Sequence, residues 1–301
     1  MLSLLFPPAI LLLLLVGILL LVRRFYISGI VIFLLSIVLN FYSETFALHL
    51  SGSASRQDES LRILSYNIEY NSSYLKQNKD SLTAMLRFFE QQDADLVVLP
   101  ESRLKSTNKA LYKQLGKLYS YNVSMAYEGN DHYLETYVFS RYPISNVRQL
   151  SQYYIYIMDV DFHGKMLKLA ACHLESNQEH SQLSGGRGLW SNLSHGYEQR
   201  AVQTKLLCDS LNSCDSLPLL VCGDLNDISG SPTLRTLQGE LHLHDAWWKG
   251  GCGYGATFTD KGLYLRLDHI LFSSHFDVTR VNVPSVNFSD HRPVVADFIM
   301  K

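Results

Sequence analysis

The first 42 residues constrain this chain more than any other feature. Met1 to Tyr42 carries only two charged side chains, Arg23 and Arg24, set side by side between two apolar runs. Leu2 to Val22 is about one bilayer thickness of helix, interrupted only by Pro7 and Pro8, and Phe25 to Tyr42 is a second run of roughly 18 residues. One helix through both would bury the arginines in hydrocarbon at a cost of several kcal/mol. A helical hairpin with the arginine pair at its turn avoids that cost. The alternative is a cleaved export signal, with Arg23–Arg24 as its basic region and Gly52-Ser53-Ala54 as a small-residue cleavage site. Positive residues favour the cytoplasmic side, so the hairpin predicts an inward turn and two outward ends. The domain that follows is then extracytoplasmic, on the periplasmic face if the source is a bacterium.

The chain divides accordingly. Residues 1–43 read as a two-helix membrane anchor. Residues 44–60, rich in Ser, Gly and charge, read as a tether, and residues 61–301 as the folded domain, expected to be monomeric. A formal net charge of −2 excludes the broad cationic surface that drives non-specific nucleic-acid binding. Eighteen Tyr and fourteen Phe argue for a substantial packed core. Of the five Cys, Cys172 and Cys222 lie in apolar runs as buried small hydrophobes, and Cys208 and Cys214 are close enough to pair if the domain is exported. Cys252 has no evident mate.

Leu61 to Asn67 alternates at period two, as a half-buried strand does, and Asp95 to Leu99 is a short buried strand. Residues 137–141, 155–162, 166–172, 218–223, 269–272 and 294–299 also read as strands. Helical spacing covers Asp80 to Gln92, Lys109 to Leu118 and roughly Gly196 to Leu211. This pattern predicts a mixed α/β domain with largely antiparallel sheets. Ser176 to His195 is a long polar loop of the kind that is functional or mobile.

Polar residues stand where the apolar strands end. Asn67 ends the first, Glu101 follows Leu96-Val-Val-Leu-Pro100, and His173 follows Leu169-Ala-Ala-Cys172. Asp224 and Asn226 follow Leu219-Leu-Val-Cys-Gly223. Asp268 and His269 precede Ile270-Leu-Phe272, and Asp290-His291 precede Arg292-Pro293-Val294. Each alone has a plain reading: an Asx turn, a polar strand cap, a satisfied core histidine. Together they supply what phosphoester hydrolysis needs, namely oxygen ligands for Mg²⁺ or Mn²⁺, a group that orients water, and a donor for developing charge.

Ser65-Tyr-Asn67-Ile, Leu99-Pro-Glu101-Ser, Cys172-His173-Leu, Gly223-Asp224-Leu-Asn226-Asp, Leu267-Asp268-His269-Ile and Ser289-Asp290-His291-Arg-Pro-Val, in this order, resemble the endonuclease/exonuclease/phosphatase superfamily. The resemblance runs from about Leu61 to Lys301 and implies a four-layer α/β/β/α sandwich of the deoxyribonuclease I type. It implies that Glu101 is the principal metal ligand, with Asn67 and Asp290 near the ion, and that Asp224 and Asn226 position water and phosphate. His291 would act at the scissile phosphate, oriented by Asp268, whose charge would raise the imidazole pKa. Glu135, in a stretch similar to the family's, would pair with His173, or else is a solvent-facing strand residue. Glu69 falls where some members carry a further acidic metal-site residue, or is an exposed strand-end charge. Arg200 lies where relatives start a helix with Arg, near phosphate or on a solvated helix face. Gly250 to Thr259 resembles the loop before the Asp-His-Ile strand, and one of Trp247 and Trp248 is expected in the core. The implied function is a metal-dependent phosphoester hydrolase of the phosphodiesterase or nuclease type. A lipid or inositol phosphate hydrolase of the same fold is the alternative, and an inactive membrane-anchored binding module is the reading from another class. The substrate stays open among nucleic acid, phospholipid and small phosphodiester.

Overall fold

A computed structural model of the chain describes residues 2–49, 56, 59–68, 79–102, 109–126, 135–150, 154–177, 189–212, 217–260 and 262–301. Glu69, Cys214 and residues 178–188 of the long polar loop lie outside the described residues, as do residues 50–55, 57 and 58 of the expected tether.

Strands with apolar side chains on both faces demand cover on both faces, and the topology provides it. One six-stranded sheet runs β10 (His244–Asp245), β14 (Asp268–Phe272), β9 (Leu219–Asp224), β8 (Lys165–His173), β7 (Tyr154–Phe162) and β6 (Ile144–Gln149). The other runs β15 (Phe276–Asn282), β16 (Val294–Met300), β2 (Leu61–Ser65), β3 (Leu96–Ser102), β5 (Glu135–Ser140) and β4 (Tyr121–Ala126). Pairing is antiparallel except between β2 and β3 and between β8 and β9. Each parallel pair is joined through a helix, as a parallel crossover requires: α3 (Lys79–Gln92) after β2, and α5 (Leu189–Leu211) after β8.

The alternation of side chains sorts three hydrophobic layers. Ile63, Leu96 and Val98 of one sheet meet Leu169, Ala171, Leu220, Cys222 and Ile270 of the other in a central core. The opposite face of the β8–β9 sheet, with Ala170, Cys172, Val221 and Leu271, is covered by Leu207 and Leu211 of α5 and by Leu234 and Leu237 of α6 (Pro232–Glu240). The opposite face of the β2–β3 sheet is covered by Met85 and Phe89 of α3 and by Leu111 and Leu115 of α4 (Lys109–Leu118). This is the α/β/β/α sandwich. Trp247, in the short helix α7 (Ala246–Gly250), belongs to the central core, and Trp248 is partly buried beside it. Cys208 is a buried free thiol.

At the N-terminus, α1 (Phe6–Val22) and α2 (Tyr26–Ser43) pack as a hairpin that turns at Arg23–Arg24. Ser3–Val22 and Tyr26–Ser43 are each long and apolar enough to cross a membrane. Leu12, Leu15, Val22 and Ile27 are among the apolar side chains they leave exposed.

The expected tether does not begin as a free linker. Ala47–Leu48 forms β1, paired antiparallel with β11 (Cys252–Gly253), and Ala47 is buried in the central core. Tyr42 lies under the Arg235 guanidinium, 3.8 Å from its ring centroid, and the Gln238 side-chain amide donates to the Glu44 carboxylate at 2.8 Å. The hairpin is therefore fastened to the sandwich within a few residues of its last turn.

Candidate active site

Strand register brings the site together. His173 pairs with Asp224 across β8–β9, and Asp224 pairs with Asp268 across β9–β14. All three follow the inward parity of Ala171, Cys222 and Ile270, so they end the central core at one rim of the sandwich. From the facing sheet come Asn67, just beyond β2, and Glu101 at the end of β3.

Two backbone devices aim these groups. The β3–β5 register shifts between Leu99 and Ser102, and within that irregularity Glu101 takes a left-handed conformation, φ 50°. Bulges beside active sites commonly re-aim a side chain in this way. Gly223, with φ 139°, lies against β8 so closely that a Cβ there would sit 1.9 Å from the Cys172 carbonyl oxygen. Only glycine lets β9 deliver Asp224 at this height.

The contacts are short. Asn67 Nδ2 donates to Glu101 Oε2 at 2.9 Å and to Asp224 Oδ2 at 3.0 Å. His173 Nε2 lies 3.6 Å from Glu101 Oε2. His291 Nδ1 is 2.7 Å from Asp268 Oδ2, and its Nε2 faces Asp224 Oδ2 at 3.6 Å. The Asn226 backbone N–H donates to Asp224 Oδ1 at 2.9 Å, while its side-chain amide donates to the Leu174 carbonyl at 2.9 Å. Thr257 holds the two halves of the histidine–aspartate pair in place. Its hydroxyl accepts from the Leu267 and Asp268 N–H groups, both at 3.0 Å, and its carbonyl accepts from the Arg292 N–H at 2.6 Å. The Phe258 ring closes against the His291 imidazole with centroids 5.1 Å apart.

Burial sets the electrostatics. Burial raises the Asp224 carboxyl above the ordinary carboxylate range, and the neighbouring Asp268 charge adds to it. For His291 burial alone would pull the imidazole down, but the Asp268 and Asp224 carboxylates outweigh it and push it up to about 10. At neutral pH His291 is therefore charged and can donate from Nε2.

The donor set suits a hard divalent cation. One oxygen each of Glu101 and Asp224 and a nitrogen of His173 lie within 4.8 Å of one another, and Asp224, Asp268 and His291 form a second such group. Asp268 Oδ1 is buried without a hydrogen-bond partner among the described residues.

Some expected residues are arranged otherwise. Asp290 is partly exposed, receives the Ser289 hydroxyl at 3.1 Å, and adds to the charge on His291 without joining either donor group. The Glu135 carboxylate accepts from the Tyr137 hydroxyl, while His173 Nε2 lies against the Glu101 carboxylate. His269 serves the scaffold, with Nδ1 3.0 Å from Asp245 Oδ2 and Nε2 against the Asp227 carbonyl. Thr257 was legible only as part of a similar loop, since its role depends on two separate segments meeting.

Two facing sheets with acidic, amide and histidine side chains gathered at one rim define a phosphoester-hydrolase scaffold. The sequence profile of the endonuclease/exonuclease/phosphatase family matches residues 64–291, about three quarters of the chain. The chain belongs to that family. Among solved structures it is similar to an endonuclease/exonuclease/phosphatase from Beutenbergia cavernae DSM 12333, with 18% identity and TM-score 0.60 over 80% of this chain and 72% of that one. It is similar to the catalytic domain of human Nocturnin with bound sulfate anion, at 18% identity and TM-score 0.61 over 81% and 95%. It is also similar to a doubly substituted beta toxin from Staphylococcus aureus with bound magnesium ions, at 18% identity and TM-score 0.60 over 79% and 99%. No curated protein matches the sequence significantly.

Proposed function

We propose that the chain hydrolyses phosphodiesters with the help of Mg²⁺ or Mn²⁺, held to a membrane by its α1–α2 hairpin. The observation that carries this reading is the side-by-side register of His173, Asp224 and Asp268, with Glu101 and His291 closing over them. Glu101 and Asp224, with Asn67 and His173 beside them, would hold the cation, and a bound cation would supply positive charge to the phosphoryl oxygens. The magnesium in the beta toxin structure supports that choice of metal.

The remaining roles follow from the protons. Asp224, between the would-be cation site and His291, orients the attacking water and accepts its proton. The Asn226 N–H fixes that carboxylate. His291 is the charged donor to the phosphoryl oxygen, with its ring orientation set by Asp268. The raised imidazole pKa makes it a donor before it is a base.

A phospholipid or inositol phosphate is the second reading, favoured by where the hairpin is fastened. Phe6 and Ser43 lie against Gly230, six residues along the chain from Asp224. At about 3.5 Å per residue that span keeps the site within roughly 20 Å of the helix ends. The hairpin reading also assigns the catalytic domain to the extracytoplasmic side, because Arg23 and Arg24 resist export. The test is a hydrolysis screen of the full chain in nanodiscs with Mg²⁺, spanning DNA, RNA, sphingomyelin and phosphoinositides. Turnover of none of them, with the protein folded, would favour a binding module and overturn the enzyme reading.

A further inference from the structure

Arg200 offered two readings in the sequence, a phosphate contact at a helix start or a solvated helix face, and it lies neither at a helix start nor on a solvated face. It sits in the middle of α5 and is 0% exposed. Its Nη1 donates to the Glu175 carbonyl at 2.8 Å and to Asn177 Oδ1 at 3.0 Å, and its Nε lies 3.6 Å from Asp227 Oδ2. These partners belong to two loops: residues 174–177 leave His173 at the end of β8, and residues 225–231 leave Asp224 at the end of β9.

The surroundings are built for this side chain. One turn on, Gln203 Oε1 accepts the Glu175 N–H at 2.8 Å. One turn back is Gly196, where a Cβ would lie 2.3 Å from Asn177 Oδ1. A glycine inside a helix costs about 1 kcal/mol relative to alanine, and here it leaves the space that Asn177 fills. The Tyr197 ring covers the guanidinium from outside at 4.6 Å, and the Tyr197 hydroxyl is 3.3 Å from Ser3 Oγ at the start of the hairpin. The two loops are also tied to each other, by Leu174 N–H to the Asp224 carbonyl at 2.9 Å and by Asn226 Nδ2 to the Leu174 carbonyl at 2.9 Å.

We propose that Arg200 is a positioning residue that clamps the loops after β8 and β9 together and thereby fixes His173, Asp224 and Asn226 for the hydrolysis proposed above. A planar guanidinium reaches both loops at once, hydrogen-bonding one through Nη1 and setting its charge 3.6 Å from Asp227 of the other, whereas an ammonium is a single point on a flexible stem. Misplacing reacting groups by about 1 Å can cost on the order of 10²-fold in rate.

The test uses the full chain in lipid nanodiscs, unaltered and as Arg200→Lys, with two measurements. In hydrogen–deuterium exchange, Arg200→Lys should speed exchange at 174–177 and 225–231 by about tenfold or more and leave the cores of β8 and β9 unchanged. With a small soluble phosphodiester, kcat should fall by roughly 10²-fold while KM stays within about threefold. Unchanged exchange in both loops overturns the proposal, as does a raised KM with kcat kept, which would mark a phosphate contact. If Arg200→Lys does not fold, Gln203→Ala removes one tie to the same loop. It should speed exchange at 174–177, and its failure to do so would equally overturn the clamp. If the unaltered chain hydrolyses nothing, the proposed function fails, while the exchange measurement still decides the role of Arg200.

Discussion

Asp268→Asn is the most informative single change, because it keeps the shape of the His291 contact and removes its charge. Asp268 is fully buried and its Oδ2 lies 2.7 Å from His291 Nδ1. The imidazole is held at about 10 against an ordinary 6.5. A group raised on folding contributes stability that is complete below its unfolded pKa and is lost as pH rises through the folded one. In metal-free protein the loss therefore falls between pH 6.5 and about 10, with a slope of at most roughly 1.4 kcal/mol per pH unit. With asparagine in place burial acts without its main opponent, so the His291 pKa should fall and this slope should flatten. The assay is a histidine ¹³C NMR titration of the full chain in detergent with EDTA, with His291 assigned by its loss in His291→Gln. Activity at neutral pH should drop by roughly 10²–10⁴-fold, because the carboxylate that orients the His291 donor and favours its charged form is gone. A variant whose His291 still titrates near the wild-type value would refute the electrostatic argument, and one that keeps more than about a tenth of the rate would refute the catalytic role.

Glu101→Gln should weaken divalent-cation binding in calorimetry by at least about tenfold and abolish hydrolysis while the circular dichroism spectrum is retained; full activity of the wild-type protein in EDTA would remove the basis for this. Gly223→Ala forces a Cβ onto the Cys172 carbonyl and should cost about 3 kcal/mol or more, lowering the unfolding midpoint by roughly 6–12 °C. Protease added to intact spheroplasts of an expressing bacterium should degrade the sandwich; protection until the membrane is opened would reverse the assigned orientation.

What was legible in the sequence was whatever a single segment encodes. The apolar runs ending at Glu101, His173 and Asp224 announce strands whose last residue leaves the core, and strand register then does the rest. Edge strands were harder. Ile144-Ser-Asn-Val-Arg-Gln149 forms β6 with almost every side chain exposed, so it has no alternation to read. Phe276–Asn282 is hidden for a different reason, since its two buried side chains, Phe276 and Val281, lie five residues apart with no alternation between them. The left-handed Glu101 cannot be read from Leu-Pro-Glu-Ser, because the shift that produces it is a mismatch with β5. The burial of Arg200 was equally hidden, because its partners arrive from two other loops. The start of the expected tether was misjudged for a related reason: Ala47 and Leu48 look like linker until Cys252 and Gly253 are placed beside them.

That last pairing has a consequence for biosynthesis. Ala47 and Gly253 are separated by about 200 residues, which a ribosome at ~5–20 residues per second takes roughly 10–40 s to deliver. Throughout that interval the hairpin is already made and its seat on the sandwich does not yet exist. The turn below it can form at once, because Asn40 bonds both the N–H and the carbonyl of Phe46, and Ser43 bonds Thr45, without anything downstream. Ala47 has no such local partner and stays exposed until β11 emerges. Docking of the hairpin onto the sandwich is therefore one of the late events in folding. A nascent chain stalled before Cys252 would hold a complete α1–α2 hairpin with its β1 edge unpaired, open to pairing with a second chain.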